Sequence, residues 1–263
     1  MISIEYSVAS SLLAMAIIII ITIMGERWGT RIGGIIGTIP FLLVVGLAFI
    51  SLSQNDRFAA DVATVVILEM GANITLITLY LFNINRGILR ALLIGVGGWG
   101  TISIGIFLTG GAGLLGNMVL YSLMLVINLK ALQKIDMNSE IKKIKYTWKE
   151  ILFRGFLGGI TIGSAVFLSI VGGPIIGGIF SVFPVIFIST LVIYSLRHKE
   201  NTIKSMGKSM TLGSLNVVSY ATTAALTFPI IGMVWGTLIS IIASFLSSYI
   251  LIILTRKKLF KRG

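Results

Sequence analysis

Apolar stretches recur along the whole chain, and short polar or glycine-rich connections separate them. Each stretch approaches or exceeds the roughly 20 residues that a helix needs to cross the hydrocarbon core of a bilayer. The pattern predicts an all-α, polytopic transmembrane helix bundle of about nine spans, within a range of eight to ten. The segments cover about residues 7–24, 32–53, 60–82, 89–109, 112–130, 151–171, 174–196, 208–226 and 229–254. Only Gly110 and Gly111 join the fourth segment to the fifth, so these two segments could instead form a re-entrant hairpin.

One stretch of the chain occurs twice. Residues 29–52 (GTRIGGIIGTIPFLLVVGLAFISL) and 173–196 (GPIIGGIFSVFPVIFISTLVIYSL) align without a gap, and three glycines and a proline match in register. A Trp-Gly-Thr sequence follows in each half, at Trp99 and at Trp235. Repeats of this kind indicate a tandem duplication. We therefore predict a first four-span unit over 1–110, a linker helix and basic loop over 111–150, and a second four-span unit over 151–263.

The chain is 56% hydrophobic and 11% charged, so it has too few charged residues to cover a soluble protein of its length. Its net charge of +12 is distributed unevenly. With nine alternating spans, one set of loops holds every Lys and Arg except Arg57, if Arg154 is taken to lie at the membrane edge. The positive-inside rule then places the N-terminus outside and the C-terminus in the cytoplasm of a multi-pass plasma-membrane protein. The same asymmetry explains the basic charge without nucleic acid, and membrane lipids are the expected partners.

This orientation makes the two units inverted, because the repeated helix runs outward in the first unit and inward in the second. A fifth span, about residues 112–130, flips the second unit. The polar linker at 138–149 is either a solvated cytoplasmic segment or an amphipathic interfacial helix. One missed or extra span would convert the inverted pair into a parallel repeat.

The repeated Gly-Gly and Pro positions allow two interpretations. Interrupted helices at matching positions of inverted halves mark transporter binding sites. The spacing of four residues between the first two glycines of each copy is also typical of closely packed membrane helices. Both can hold together, so we predict a substrate or ion site that includes the residues Gly33, Gly34, Pro40, Gly177, Gly178 and Pro184.

The third span of each unit carries polar residues. Asp61, Glu69 and Asn73 share one helical face in the first unit. A carboxylate at the depth of Glu69 is a functional candidate that could bind a proton or a cation, although a hydrogen-bonded structural role is the alternative. Asn216 is the counterpart of Asn73 in the second unit, whereas no carboxylate there matches Glu69. We therefore expect Glu69, Asn73 and Asn216 to line the site.

The glycine pair followed by a proline, opening one helix of a four-span unit, resembles small four-span membrane families of unknown function of the GlpM type. This resemblance covers residues 29–52 and 173–196 and implies no activity. The predicted architecture is also similar to the drug/metabolite transporter superfamily, whose inverted halves form ten-helix carriers, but only as an analogy of fold.

These patterns favour a secondary transporter or a small-molecule or lipid translocator, in which one half rocks against the other around the site. The alternative is a non-transporting membrane scaffold or assembly subunit of a larger complex. We do not expect an enzyme, a cofactor or a metal site, because the chain has no cysteine and no paired deep carboxylates. The substrate and the coupling ion stay open, and a monomer and a homodimer are both compatible with the sequence.

Overall fold

Every regular element that the structure describes is helical. The computed structural model of the chain describes residues 2–27, 40–133, 135, 146–198 and 200–260. Its elements are α1 (Ile2–Arg27), α2 (Phe41–Ser53), α3 (Asp56–Asn83), a 3₁₀ turn (Ile84–Arg86), α4 (Ile88–Thr109), α5 (Gly113–Ala131), α6 (Trp148–Ser181), α7 (Val185–Arg197) and α8 (Glu200–Phe260). The prediction of an all-α fold is confirmed.

Local signals in the sequence explain several helix ends. The side chain of Asn55 accepts a hydrogen bond from the Phe58 amide at 2.8 Å and caps the start of α3. Thr147 and Glu150 form a reciprocal capping box at the start of α6. Between α4 and α5, Gly110 and Gly111 both have φ near +75°, which only glycine adopts without strain. The glycine pair is therefore a tight turn between two helices of 22 and 19 residues.

Within the described residues, six helical segments are long and apolar enough to cross a membrane. They are Ile4–Met24, Asp56–Arg86, Ile88–Thr109, Gly113–Ala131, Trp148–Arg197 and Glu200–Leu251. This count does not support the predicted nine spans. Helix α2, with 13 residues, is shorter than a span, and residues 32–39 of the predicted second span lie outside the described residues. The sequence pattern also divides the two longest segments, Trp148–Arg197 and Glu200–Leu251, each of which contains two helices that meet at a kink.

Both of these long segments bend sharply at a glycine. Gly173 in α6 has φ 79° and ψ −176°, and Gly232 in α8 has φ 80° and ψ 164°. A Cβ on Gly177 would lie 2.6 Å from the Cβ of Ser169, eight residues earlier. A straight helix separates such residues by about 12 Å along its axis. The chain of α6 therefore folds back on itself at Gly173.

The bundle is organised around α3. This helix is the most deeply buried of the candidate spans, and it contacts α4, α5, α6 and α8. It runs antiparallel to α8, because Leu81 packs at Gly207 near one end of α3 and Asp56 lies at Gly232 near the other. The largest cluster of buried side chains lies between these helices, with Ala63 and Ala224 among its members.

Helix α1 runs antiparallel to α6 along a row of small residues. Cβ atoms built on Gly155, Gly159 and Gly163 would meet, in that order, Ile19, Ser11 and Ser7 at 2.8 Å or closer. Larger side chains at these glycines would separate the two helices. The spacing of four residues is the small-residue pattern that permits close approach of membrane helices.

Candidate functional site

A cavity of about 630 Å³ lies inside the bundle. Its wall is made by six helices and by the two segments that precede α2 and α7. Most lining side chains are apolar: Ile18, Ile21, Pro40, Phe41, Leu42, Leu43, Met70, Val182, Phe183, Ile186, Phe187, Met206, Met210 and Val217. The remaining lining residues are Thr22, Arg154, Ser181, Ser209, Gly213 and Asn216. Volumes of about 300–1,000 Å³ are typical of pockets for small organic ligands.

The wall of the cavity includes both proline-marked helix starts. Helix α2 begins directly after Pro40, and α7 begins directly after Pro184. Each of these helices has 13 residues, so the two copies of the repeated stretch agree in where their helices begin and end. Pro40 lines the cavity itself, whereas in the second copy Val182 and Phe183, just before Pro184, do so.

The interruption between α6 and α7 is stabilised by a residue of α3. The side-chain amide of Asn73 donates a hydrogen bond to the Val182 carbonyl at 2.8 Å. This carbonyl lies where the helical hydrogen-bond ladder stops, and no water is at hand in a membrane interior to satisfy such a group. Asn73 is fully buried. Its amide therefore offsets the cost of the break before Pro184.

Glu69 is fully buried between α3 and α4 and does not line the cavity. Ser103 of α4 donates a hydrogen bond to its Oε1 at 2.6 Å. Its second oxygen, Oε2, and the indole nitrogen of the neighbouring Trp99 each lack a hydrogen bond of full geometry among the described residues, although the indole N–H lies close enough to interact with the carboxylate. Ser103 and Trp99 are thus the neutral donors at a carboxyl group that could bind a proton or a cation.

A chain of aromatic contacts connects Glu69 to the cavity. The ring of Trp99 meets the ring of Phe183 edge-on, with the centroids 4.9 Å apart. Phe183 belongs to the interruption and lines the cavity on its other side. Phe183 therefore stands between Glu69 and the cavity, so that a movement of the interruption would change both places together.

Arg154 lines the cavity, and sequence reasoning missed it. Its side chain is 7% exposed, and its Nη1 donates to Thr190 Oγ1 at 3.0 Å and to Ser189 Oγ at 3.2 Å. The guanidinium also lies 4.9 Å from the ring centre of Tyr146. The prediction treated Arg154 as a residue at the membrane edge; its burial is produced by α7, whose hydroxyls face it. A polar Ser-Thr pair inside an apolar segment was the available signal.

Asn216 lines the cavity, and it does not bind Asn73. Its side-chain oxygen accepts a hydrogen bond from Ser247 Oγ at 2.8 Å, so it links the two arms of the bent helix α8. The two asparagines thus have different partners. Asn73 contacts the interruption of the other half, whereas Asn216 contacts its own half.

The second glycine pair serves close packing. A Cβ on Gly178 would lie 2.5 Å from the Cβ of Val65 and 3.0 Å from the Val62 carbonyl oxygen. Gly177 and Gly178 therefore let α6 approach α3 and do not line the cavity. Gly33 and Gly34, the corresponding pair in the first copy, lie outside the described residues.

The structure thus divides the predicted site residues into two groups. Pro40 and Asn216 line the cavity, whereas Glu69, Asn73, Gly177, Gly178 and Pro184 lie behind its wall. The described ranges contain no group of three or more His, Cys, Asp or Glu side chains that could hold a metal ion. The absence of a resident cofactor stays a prediction.

Comparison with known proteins gives one match. Residues 151–257 match the family described as Protein of unknown function (DUF3147). The match covers less than half of the chain and lies within the predicted second unit. No curated protein and no solved structure matches the chain. The likeness to the GlpM type and to the drug/metabolite transporter superfamily stays a prediction.

Proposed function

We propose that this membrane protein is a transporter or translocator of a small molecule or lipid, with the cavity as its substrate site. The observation that carries the proposal is the composition of the cavity wall. Both proline-marked helix starts contribute to it, as do Met70 from the first unit and Asn216 from the second. A site with such walls changes shape when one half moves relative to the other, as alternating access requires.

The proposal includes the inverted arrangement of the two units. Two observations support it. The first helix of each unit packs antiparallel to its counterpart, α1 against α6, and the third helices, α3 and α8, do the same. The family match over 151–257 also spans one predicted unit and not the other, which agrees with a unit that exists separately.

The sharp bends at Gly173 and Gly232 support the larger number of crossings. A straight helix of 52 residues, the length of Glu200–Leu251, would be about 78 Å long, more than twice the hydrocarbon thickness. We infer that each bent segment crosses the membrane twice and returns to the basic, cytoplasmic side. If α2 and the residues before it also form one crossing, five crossings separate the N-terminus from the linker around residues 134–145, so that the N-terminus would be outside in the plasma membrane and the linker cytoplasmic.

Within this proposal, Glu69 is the ion-coupling group. It is buried at the middle of α3, has only neutral donors beside it, and is separated from Phe183 of the interruption by the Trp99 ring. Binding of a proton or Na⁺ at Oε2 would change the packing of Trp99 and Phe183 and so bias the cavity between its states. No catalytic step is part of the proposal.

Reconstitution into proteoliposomes tests this assignment. Candidate solutes and lipids are screened for uptake driven by a proton or a sodium gradient, and Glu69→Gln is compared with Asp61→Asn. Asp61 is an exposed carboxylate two turns earlier on the same helix, so it controls for loss of a negative charge. We expect Glu69→Gln to lower gradient-driven uptake at least about 10-fold and Asp61→Asn to leave it within about twofold.

A flux that is unchanged in Glu69→Gln would remove Glu69 from the coupling role. The alternative, a non-transporting scaffold, requires no internal cavity, so the cavity favours transport. Purification of the chain with one stoichiometric partner, together with no flux for any solute or lipid, would favour the scaffold.

A further inference from the structure

Arg154 is a buried cation in a cavity whose walls are mostly apolar. Arginine stays charged in proteins, and a buried charge without a counter-ion is costly. Its Nη1 donates to two neutral hydroxyls, while its Nε has no hydrogen-bond partner among the described residues. The guanidinium therefore keeps its charge and at least one donor group for a further partner.

A carboxylate on the same helix is already engaged. Glu150, one turn earlier on α6, forms a salt bridge with Arg197 and does not line the cavity, although its charge also acts on Arg154 from a distance. Among the described residues, Arg154 itself takes part in no salt bridge. The segment 28–39, which connects α1 to Pro40, contains no Asp or Glu and supplies no negative charge wherever it lies.

The three hydroxyl side chains that line the cavity make their hydrogen bonds within their own helices. Thr22 donates to the Ile18 carbonyl, Ser181 to Gly177 and Ser209 to Ser205. These hydroxyls therefore give the cavity little capacity to bind a polar ligand. What remains is one cationic end at Arg154, the side-chain amide nitrogen of Asn216 and an extended apolar wall from α1, α2, α7 and α8.

We propose that the cavity binds an anionic amphiphile, with a carboxylate or phosphate head group on Arg154 and its hydrocarbon chain along the apolar wall. Arg suits both head groups because its planar fork pairs with two oxygens at once. A small inorganic anion would leave most of the 630 Å³ unfilled, and a neutral lipid would leave the charge unpaired. The inference deepens the proposed function, since it names the ligand class of the same cavity.

Equilibrium binding to the purified full chain in a neutral detergent tests the proposal. The probes are radiolabelled oleate and oleoyl lysophosphatidate, their uncharged relative oleyl alcohol, and inorganic phosphate as a competitor. We expect saturable binding of at least one of the two anionic probes, and the tighter of the two identifies the head group. Arg154→Gln should weaken it at least about 10-fold and leave oleyl alcohol within about twofold.

Two further variants distinguish the effect of the Arg154 charge on binding from the effect of cavity shape and from loss of binding through misfolding. A Cβ on Gly213 meets nothing within 4 Å, so Gly213→Leu fills the cavity without a clash and should reduce binding of charged and uncharged probes alike. Arg90 is exposed on α4 and does not line the cavity, so Arg90→Gln should bind like the unmodified chain.

Several outcomes would overturn the proposal. They are unchanged binding of oleate and lysophosphatidate in Arg154→Gln, equal loss of oleyl alcohol in that variant, or full binding in Gly213→Leu. Phosphate that displaces the anionic probes while binding as tightly as they do would make the site one for a small anion.

Failure of this inference and failure of the proposed function can be told apart. Binding is measured at equilibrium and needs no transport. Tight binding without any flux would therefore contradict the transport function and support the binding site. Gradient-driven flux of another solute, without binding of any anionic probe, would keep the transporter and remove this ligand class.

Discussion

The two copies of the repeated stretch agree in backbone and differ in chemistry. Helices α2 and α7 have the same length and begin directly after matching prolines, Pro40 and Pro184. The charged groups of the interior do not match. Glu69 belongs to the first unit and is closed off behind Phe183, whereas Arg154 belongs to the second unit and lines the cavity.

The difference shows how a symmetric scaffold acquires unequal functions. Glycine and proline positions are constrained by backbone approach and by helix interruption, and both units need these features to pack. A charge in the membrane interior costs free energy wherever it is placed. One buried carboxylate for ion coupling and one buried guanidinium for ligand binding are therefore enough, and neither has to be repeated in the other unit. At the position that corresponds to Glu69, the second unit has Leu212 and Gly213, and Gly213 leaves room for the cavity.

The largest effect is expected where the units pack most closely. Gly178→Leu places a branched side chain against Val65 and the Val62 carbonyl, where even a Cβ would be too close. We expect a loss of at least about 3 kcal/mol and a failure to purify as a folded protein, because α3 and α6 cannot separate without opening the core. Size-exclusion chromatography and thermal unfolding in detergent measure this.

Gly213→Leu is the matched control. It is the same substitution on a helix of the same unit, at a position where a Cβ meets no other atom within 4 Å. It should leave the unfolding midpoint equal or higher, since glycine lowers helix stability by up to about 1 kcal/mol. Equal destabilisation by both substitutions would show that the close contact of Gly178 has no special weight.

A smaller effect distinguishes the two asparagines. Asn73→Leu leaves the Val182 carbonyl at the interruption without its partner, which we expect to cost about 1–3 kcal/mol. Asn216→Leu removes a bond from Ser247, whose hydroxyl keeps a second acceptor in the Ser244 carbonyl, so the cost should be below about 1 kcal/mol. Thermal unfolding midpoints of the two variants measure the difference. Equal midpoints would mean that the two asparagines contribute equally to the free energy of unfolding.

The sequence predicted the parts of the fold that depend on local pattern. Apolar length predicted the helices, whereas the segments predicted over 32–53 and 174–196 begin before the prolines that α2 and α7 directly follow. The bends at Gly173 and Gly232 fall within a few residues of predicted boundaries, but apolar length alone cannot distinguish a bend within one helix from a loop between two. The span count therefore could not be fixed from the pattern.

The candidate site was harder to predict from the sequence, because its side chains are buried and hydrogen-bonded by partners that lie far away along the chain. Burial of Arg154 depends on hydroxyls 35 and 36 residues later, and the partner of Glu69 lies 34 residues away. The matching tryptophans show the same limit. Trp99 packs against Phe183, whereas Trp235 is 65% exposed, although both occur in the same Trp-Gly-Thr sequence. Identical local sequence does not determine which neighbours a side chain meets.

The most direct test of the inverted arrangement uses Gln54 and His198, which directly follow α2 and α7 at matching positions. The chain has no cysteine, so Gln54→Cys and His198→Cys each carry a single thiol. Intact cells are treated with a membrane-impermeant maleimide. Opposed units predict labelling of Gln54→Cys alone, with His198→Cys labelled only after the membrane is opened. Labelling of both thiols from the same side would contradict the inverted arrangement.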